Sequence, residues 1–553
     1  MVFTSANLAL QSWSSAYRFA HDLSLGLLAI SLWVSAVCAS ELSAQEQSYR
    51  RGDANQDALF DIADAVRALE ILFDPLSAGT AGVCDKSLDG NDDGAIDLSD
   101  AIYLLLALFQ PGFPDPAPPF AECGTDPTPD GLTCESFPPC DELPEERTNI
   151  LLIMSDDLGV AASSCYDQGS VAPTPNIDSL CAQGIVFRNA WAYPVCSPTR
   201  ASFITGRYAF RHGVSEVGGV LDVAEPSVAR ALAEDPSLGY ASASIGKWHV
   251  GGGNQGAVVY GFDYFAGRSR GGLGNYFSWE KSVNGTLEQV DNYATSENVD
   301  DALEWIGNRG GQPWFLWLAF NAPHTPFHLP PEELHSASLS GDAQDIRDHP
   351  RTYYDAAIEA MDTEIGRLLS SMDSDVLAKT TIIYVGDNGS PARVSPIDGQ
   401  SKGWLRQGGI HVPLVIAGAK VVSGGREVDS IVDITDLYAT VLELAGADVV
   451  ATTPQGFTID SVSLLPYLEN PSQTDLRPWV LSEQSGGNVD RAGTAIRDVR
   501  YKMIRLNSAD DEFYDLLTDP TESSNLLDGV LTSAQESALD DLNTTLDGVL
   551  AGS

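Results

Sequence analysis

Two acidic motifs close two apolar runs. Asn149-Ile150-Leu151-Leu152-Ile153-Met154 leads into Ser155-Asp156-Asp157, and Thr380-Thr381-Ile382-Ile383-Tyr384-Val385 leads into Gly386-Asp387-Asn388-Gly389. Apolar runs of this length predict strands buried on both faces of a mainly parallel sheet, and open α/β sheets bind ligands at the carboxyl ends of their strands. Converging there, Asp156, Asp157, Asp387 and Asn388 would offer three carboxylates and a carboxamide. Hard oxygen donors of that kind suit Ca2+ or Mg2+ and not a soft metal. Either pair alone would read as a helix cap or a solvated turn. That reading loses force once the segment between them is added: Cys196-Ser197-Pro198-Thr199-Arg200-Ala201-Ser202-Phe203-Ile204-Thr205-Gly206-Arg207.

A second metal chemistry is written nearer the N-terminus, in an internal repeat over residues 50–110. Oxygen donors occupy positions 1, 3, 5, 9 and 12 of two loops: Asp53, Asn55, Asp57, Asp61 and Asp64, then Asp89, Asn91, Asp93, Asp97 and Asp100. An apolar residue stands at position 8 of each, which completes the spacing of a calcium loop. Both loops run into amphipathic patterns, Ile62, Val66, Leu69 and Phe73, then Ile102, Leu105, Leu106 and Phe109. Aspartate at position 12, in place of the usual bidentate glutamate, resembles dockerin-type modules, small all-α paired calcium-loop units of the EF-hand kind. The resemblance implies structural Ca2+ and either a stabilised spacer or a docking unit for a partner. Ala58 takes the turn position that prefers glycine, which predicts weaker binding by the first loop.

The Cys196 segment resembles the signature of the type I sulfatases of the alkaline phosphatase superfamily. In that signature Cys-x-Pro-x-Arg followed by Thr-Gly directs oxidation of the cysteine to formylglycine. The resemblance runs over about residues 148–530, with a few residues of boundary error. It implies that Asp156, Asp157, Asp387 and Asn388, with residue 196 itself, hold a Ca2+ or Mg2+ ion. It also implies that Arg200 steadies the formylglycine, and that Lys247 and His249, in Gly246-Lys247-Trp248-His249, contact sulfate and aldehyde. His324, in Ala322-Pro323-His324-Thr325-Pro326, would lie near the leaving oxygen, and Lys402 would be the second sulfate-binding lysine. Tyr514-Asp515-Leu516, Asp519-Pro520 and Asn525-Leu526 match the closing segment of the family. Gln407 departs from the family's glutamate and His411 from a common arginine; both read as changes in supporting residues.

The implied chemistry explains the residue types. A sulfate ester spreads negative charge over its oxygens, so fixed cations are needed: the metal, Lys247, Lys402 and Arg200. A hydrated formylglycine offers two hydroxyls on one carbon, one of which attacks sulfur. His324 would then protonate the leaving alcohol, and His249 would deprotonate the remaining hydroxyl so that sulfate is expelled. A formylglycine-generating enzyme follows as a maturation partner. The runner-up is a phosphatase, phosphodiesterase or phosphonate hydrolase of the same superfamily; phosphatases there generally use Ser or Thr, against which Cys196 argues. A non-catalytic calcium-dependent scaffold or adhesion protein would leave the Cys196 constellation unused.

These groups need a scaffold. Helical patterns such as Asp301–Ile306 and Tyr354–Leu369 fall between the apolar runs and predict α/β architecture, a large mixed, mostly parallel sheet flanked by helices over 148–454. Strand-like pieces such as Val499–Ile504 predict a smaller α+β subdomain over 455–553. The calcium module is placed at 48–112, followed by a Pro-, Gly-, Asp- and Cys-rich stretch, 113–147, that reads as a disulfide-pinned linker.

The chain is strongly acidic, with 77 Asp and Glu against 31 Lys and Arg, a formal net charge of −46. Nucleic acid is therefore not an expected partner, and any sulfate site must be locally positive. Arg18 and His21 precede an apolar run, Leu25 to Val37, ahead of small residues, which predicts a signal peptide over 1–39, with an uncleaved anchor as the alternative. An exported protein follows, in the periplasm, on the cell surface or outside, with no membrane span in the mature chain. Export and the appended module favour a sulfated carbohydrate over a small aryl sulfate. If Cys38 leaves with the signal, seven cysteines remain of eight. Cys84, Cys123, Cys134 and Cys140 form a two-disulfide framework of open connectivity. Cys165 and Cys181 either pair or stay reduced, and Cys196 is the odd one.

Overall fold

In the computed structural model the described residues are 48–56, 60–73, 84–120, 123–128, 130–134, 137, 140, 147–166, 171–397, 399–486 and 489–552. The signal segment 1–39, Asp57 and Ala58 lie outside them. The chain divides into two compact units, 1–146 and 147–553.

In the larger unit the strands follow in the order β1 (Asn149–Ser155), β2 (Ile185–Trp191), β3 (Ala241–Lys247), β4 (Tyr264–Arg268), β5 (Trp279–Val283), β6 (Thr286–Val290), β7 (Trp314–Ala319), β8 (Thr380–Gly386), β9 (Leu414–Gly418) and β10 (Arg426–Asp433). They form one sheet in the order β10-β2-β9-β8-β1-β7-β3-β4-β5-β6. Five of its nine pairings are parallel and four antiparallel. Alternate residues of β1 feed opposite faces: Ile150, Leu152 and Met154 join one core cluster, Leu151 and Ile153 the other. Both faces are apolar because both are covered by helices, which is why the run read as continuous rather than alternating. Helices Cys196–Thr205 and Asp436–Leu444 cover the first face; Pro175–Gln183, Ala294–Gly307 and Pro350–Ser371 cover the second.

Four neighbouring parallel strands, β8, β1, β7 and β3, end at one edge in register, with Ser155 opposite Gly386 and Gly246 opposite Ala319. The residues just beyond them are therefore delivered to one place.

Residues 480–515 form a second, antiparallel sheet of β11 (Val480–Gln484), β12 (Gly493–Arg497), β13 (Tyr501–Leu506) and β14 (Glu512–Asp515), and helix Ser533–Ala551 follows it. It belongs to the same compact unit as the large sheet.

In the smaller unit both loops lead into helices, Ile62–Phe73 and Leu98–Phe109. The same hydrogen bonds recur in each copy: the N–H groups of Asn55 and Asp61 donate to Asp64, as those of Asn91 and Asp97 do to Asp100. The helices pack through small residues, with Ala68 and Ala101 in one buried cluster. The apolar stripes expected to be buried are largely not: Ile62, Val66, Phe73, Ile102 and Phe109 are exposed, because the close alanine contact leaves the larger side chains outside. Residues 113–140 do more than connect. Cys84–Cys134 and Cys123–Cys140 are disulfides, and Arg51, fully buried, pairs with Asp126 at 3.0 Å. Among the described residues, no helix is long and apolar enough to cross a membrane.

Candidate active site

Cys196 opens helix Cys196–Thr205, every residue of which is buried although half are polar. A helix can be buried in this way only if its polar groups find partners. Ser197 Oγ donates to the His249 carbonyl at 2.9 Å, Thr199 Oγ1 accepts from the Tyr193 N–H at 3.0 Å, and Ser202 Oγ meets His212 Nε2 at 2.9 Å. The helix stops at Gly206, whose φ of +67° is a left-handed conformation and whose missing Cβ would lie 2.6 Å from the Tyr438 ring. That is the structural reason for glycine at this point of the motif.

Around Cys196 Sγ the charged groups close in. Lys247 Nζ and Lys402 Nζ each lie 3.3 Å from it, and the thiol donates to Asp156 Oδ1 at 3.4 Å. Lys247 also donates to Asp156 Oδ2 at 2.6 Å, and Lys402 pairs with Asp157 Oδ1. Arg200 donates twice to Asp387 Oδ2, at 3.1 and 2.9 Å, and once to the Lys247 carbonyl at 2.5 Å. His324 Nε2 is 3.7 Å from Asp157 Oδ2, and its Nδ1 donates to the Thr325 carbonyl at 2.7 Å. Burial, then the nearby Asp387 carboxylate, pushes the Cys196 thiol up to about 12 against the pull of both lysines. Burial, then Lys247, Arg200 and Lys402, drives His249 down to about 2, so it stands neutral. Its Nδ1 is buried without a hydrogen-bond partner. Asp157 and His249 both have φ of +69°, a strained conformation for such residues that costs on the order of 1–3 kcal/mol each.

The oxygen donors fit a hard cation. Ligand atoms of Asp156, Asp157, Cys196 and His324 lie within 4.8 Å of one another. Asn388 turns its Nδ2 to Asp157 Oδ1 at 2.8 Å and leaves its buried Oδ1 without a partner, an orphaned acceptor that a metal ion would satisfy. Asp387 stands one step back, its Oδ1 accepting from the Asp157 N–H at 3.0 Å and its Oδ2 taken by Arg200.

Two other histidines near the motifs, His328 and His411, have structural partners. His328 stacks on Tyr276 with centroids 4.0 Å apart, and His411 Nε2 donates to the Arg188 carbonyl at 2.8 Å. Gln407 Oε1 accepts from Trp191 Nε1 at 3.0 Å. Cys165 and Cys181 are paired, and Cys196 is the free cysteine among the described residues.

Sequence reading missed the residues that hold the catalytic candidates in place. Tyr354 Oη donates to the Asp157 carbonyl at 2.8 Å, and Tyr276 Oη lies 2.6 and 2.8 Å from the carbonyls of Asn321 and His324. A Cβ on Gly271 would lie 2.8 Å from His249 Nε2, and one on Gly272 would lie 2.8 Å from His324 Cε1. Only the Gly-Gly pair itself could have signalled this close approach. Gly271→Ala therefore displaces the His249 ring; with His249 a candidate reacting group, kcat is expected to fall about 100-fold, the usual penalty for a misplacement of about 1 Å. Gly274→Ala, where a Cβ would meet nothing within 4 Å, is the control. Equal rates for the two variants would remove the glycine from the argument.

A family model described as "Sulfatase" matches residues 148–447, and one described as "N-sulphoglucosamine sulphohydrolase, C-terminal" matches 400–547. The chain is 30% identical over 362 residues to N-acetylgalactosamine-6-sulfatase of Homo sapiens, covering 58% of this chain and 65% of that protein. It is 29% identical over 370 residues to the Canis lupus familiaris protein, 59% of this chain and 67% of that one. The match thus spans about two thirds of these relatives' own length. Among solved structures, Ps i-CgsB in complex with k-i-k-neocarrahexaose aligns with a TM-score of 0.61 at 25% identity, covering 73% of this chain and 93% of that one. The PsFucS1 sulfatase from Pseudoalteromonas sp. shares the fold, with a TM-score of 0.61 at 21% identity over 73% of this chain and 90% of its own.

Proposed function

We propose, because the chain belongs to the sulfatase family, that it is a sulfuric ester hydrolase whose nucleophile is made from Cys196 and whose substrates are sulfated glycans. The placement of Cys196 carries this reading: two ammonium groups at 3.3 Å and buried carboxylates beside them, at the edge where four strands end. A thiol pushed up to about 12 is a poor nucleophile at neutral pH, so the surroundings suit a different group on that carbon. Oxidation to formylglycine, by a formylglycine-generating enzyme, would supply a hydrated aldehyde. A divalent cation, Ca2+ or Mg2+, held by Asp156, Asp157, Asp387, Asn388 and residue 196 would supply the missing positive charge. Lys247, Lys402 and Arg200 face Asp156, Asp157 and Asp387, so the cluster alone is neutral, and it attracts an anionic ester only with that cation added.

The chain's own side chains do the rest. Lys247 and Lys402 reach the atom at position 196, where they can hold the oxygens of a sulfate brought to it. Arg200 keeps Asp387 in place. His324, with Nδ1–H fixed on the Thr325 carbonyl, has Nε2 free to give a proton to the departing alcohol when it is imidazolium. His249 is the candidate to take a proton as sulfate leaves, once the bound anion offsets the field of Lys247, Arg200 and Lys402 that holds its imidazole neutral.

Support for glycans comes from relatives: one is named an N-acetylgalactosamine-6-sulfatase, and one solved structure is a complex with k-i-k-neocarrahexaose. A signal peptide over 1–39 would place the protein outside the cytoplasm. The two loops of the smaller unit would hold structural Ca2+ in a dockerin-like module that serves as spacer or docking unit. Calcium titration of the full chain is expected to show at least a ten-fold loss of affinity at one site in Asp100→Ala, whose carboxylate is fully buried in its loop. An unchanged isotherm would dismiss the loop.

The test of the function is release from 4-nitrophenyl sulfate and 4-nitrophenyl phosphate by protein co-expressed with a formylglycine-generating enzyme. Sulfate release, with a carbonyl in place of sulfur in tryptic peptide Asn189–Arg200, supports the reading. Faster phosphate release would move the chain to the phosphohydrolase alternative.

A further inference from the structure

One cation at the rim of the site has no use in the reaction described so far. Trp404 lies two residues beyond Lys402, and the intervening Gly403 N–H donates to the Pro194 carbonyl at 2.8 Å, tying this turn to the segment that enters Cys196. The guanidinium carbon of Arg491, just ahead of β12, lies 3.8 Å from the centroid of the Trp404 ring. Arg406 lies 5.8 Å from the same ring but is committed to Glu512 through two bonds of 3.0 and 2.6 Å. Arg491 differs. Its guanidinium has no carboxylate, carbonyl or hydroxyl acceptor among the described residues, and both Arg491 and Trp404 are partly exposed. By contrast Arg200, Lys247 and Lys402 each hold a carboxylate.

A guanidinium held over an indole ring keeps its charge and its fork of N–H donors while losing mobility, which prepares it for an external anion. The chain keeps the ring near the site: consecutive Cα atoms are about 3.8 Å apart, so Trp404 Cα is at most about 7.6 Å from that of Lys402, whose Nζ is 3.3 Å from Cys196 Sγ. A group bound there is within reach of an oligosaccharide whose ester Lys402 would hold. In a chain with 77 acidic residues, an unclaimed cation at this rim would also offset the general repulsion of a polyanion.

We infer that Arg491, held on Trp404, forms an anion subsite beside the scissile sulfate, taking a carboxylate or a further sulfate of the same saccharide. The preferred substrate is then a polyanionic glycan. This inference rests on the sulfatase reading above, so its test includes binding as well as turnover.

The probes are 4-nitrophenyl sulfate, a chondroitin 6-sulfate tetrasaccharide in which sulfated sugars neighbour uronic acids, and its carboxyl-reduced form. A hydrogen bond to a charged group contributes about 1.5–3 kcal/mol, so Arg491→Ala lowers the ratio of kcat/KM for the tetrasaccharide over the aryl ester by about ten-fold or more, through KM rather than kcat. Arg491→Lys recovers part of the loss. If carboxyl reduction removes the effect, the bound anion is the uronate; if it does not, the anion is a neighbouring sulfate. Calorimetric binding of the same tetrasaccharide to Cys196→Ser protein, with and without Arg491→Ala, separates the two readings. Binding that depends on Arg491 without any turnover by the mature protein keeps the subsite and discards the sulfatase. A ratio within two-fold of wild type, affinities that do not differ, or no binding at millimolar tetrasaccharide overturns the subsite.

Discussion

Cys196→Ser lowers sulfate release by on the order of 10^4-fold or more while the protein stays folded. Serine is close in size to cysteine and keeps a polar atom between Lys247, Lys402 and Asp156, so the local contacts survive. The helix it opens is anchored elsewhere, through Ser197, Thr199, Ser202 and Gly206. The melting temperature is therefore expected to move by no more than about 3 °C. On the proposed mechanism what is lost is chemical: a single hydroxyl cannot do what a hydrated aldehyde does, attack with one oxygen and expel sulfate with the other. Initial rates on 4-nitrophenyl sulfate, paired with a thermal melt, decide the matter. Wild-type turnover in the variant would remove residue 196 from the mechanism, and a collapsed melt would make it a structural residue.

The second large effect is on stability. Asp387→Ala strips a fully buried arginine of its carboxylate, since the side chains of Arg200 and Asp387 are both inaccessible to solvent. Breaking a buried pair from one side costs about 3–5 kcal/mol, because the other charge is left uncompensated. The Asp157 N–H loses its acceptor as well. We expect an unfolding midpoint lowered by many degrees for the larger unit, together with loss of activity. Asp387→Asn keeps an oxygen for the Asp157 N–H and should recover part of the stability but not the rate. Chemical denaturation of the three proteins, followed by tryptophan fluorescence, gives the comparison. Equal stability of wild type and Asp387→Ala would show that Arg200 is held by the Lys247 carbonyl and the Trp317 face instead.

Much of this site is legible in the sequence, and the reason is physical. Asp156 and Asp387 stand just beyond strands whose apolar runs are unmistakable, and parallel pairing of β1 with β8 had to bring the two ends level. Helix Cys196–Thr205 carries its own punctuation, from the cysteine to the left-handed glycine. Contacts made by atoms that are missing were not legible: Gly271 and Gly272 matter through the Cβ they lack, against histidines 22 and 52 positions away in sequence. Nor was the seating of Arg491 on Trp404, which joins two loops through a tertiary contact with no local pattern. In the smaller unit the period of the apolar residues was right for helices but misjudged what they pack against. Alanines made the contact, so Ile62, Val66 and Phe73 stayed outside.

Cys196 is 1% exposed, and one of the groups closing over it, Lys402, lies 206 positions further along the chain. An enzyme that is to act on that thiol has a deadline. At roughly 5–20 residues per second, Lys402 is synthesised about 10–40 s after Cys196, and β8, which must pair with β1, only slightly earlier. Before then the cysteine lies on an unfinished sheet; afterwards it is sealed in a folded core. If residue 196 is matured as proposed, copies that miss the interval would be as well packed as the rest and permanently inert. The active fraction of a preparation is then set by a race between two clocks, and slowing the closure of the sheet should raise it.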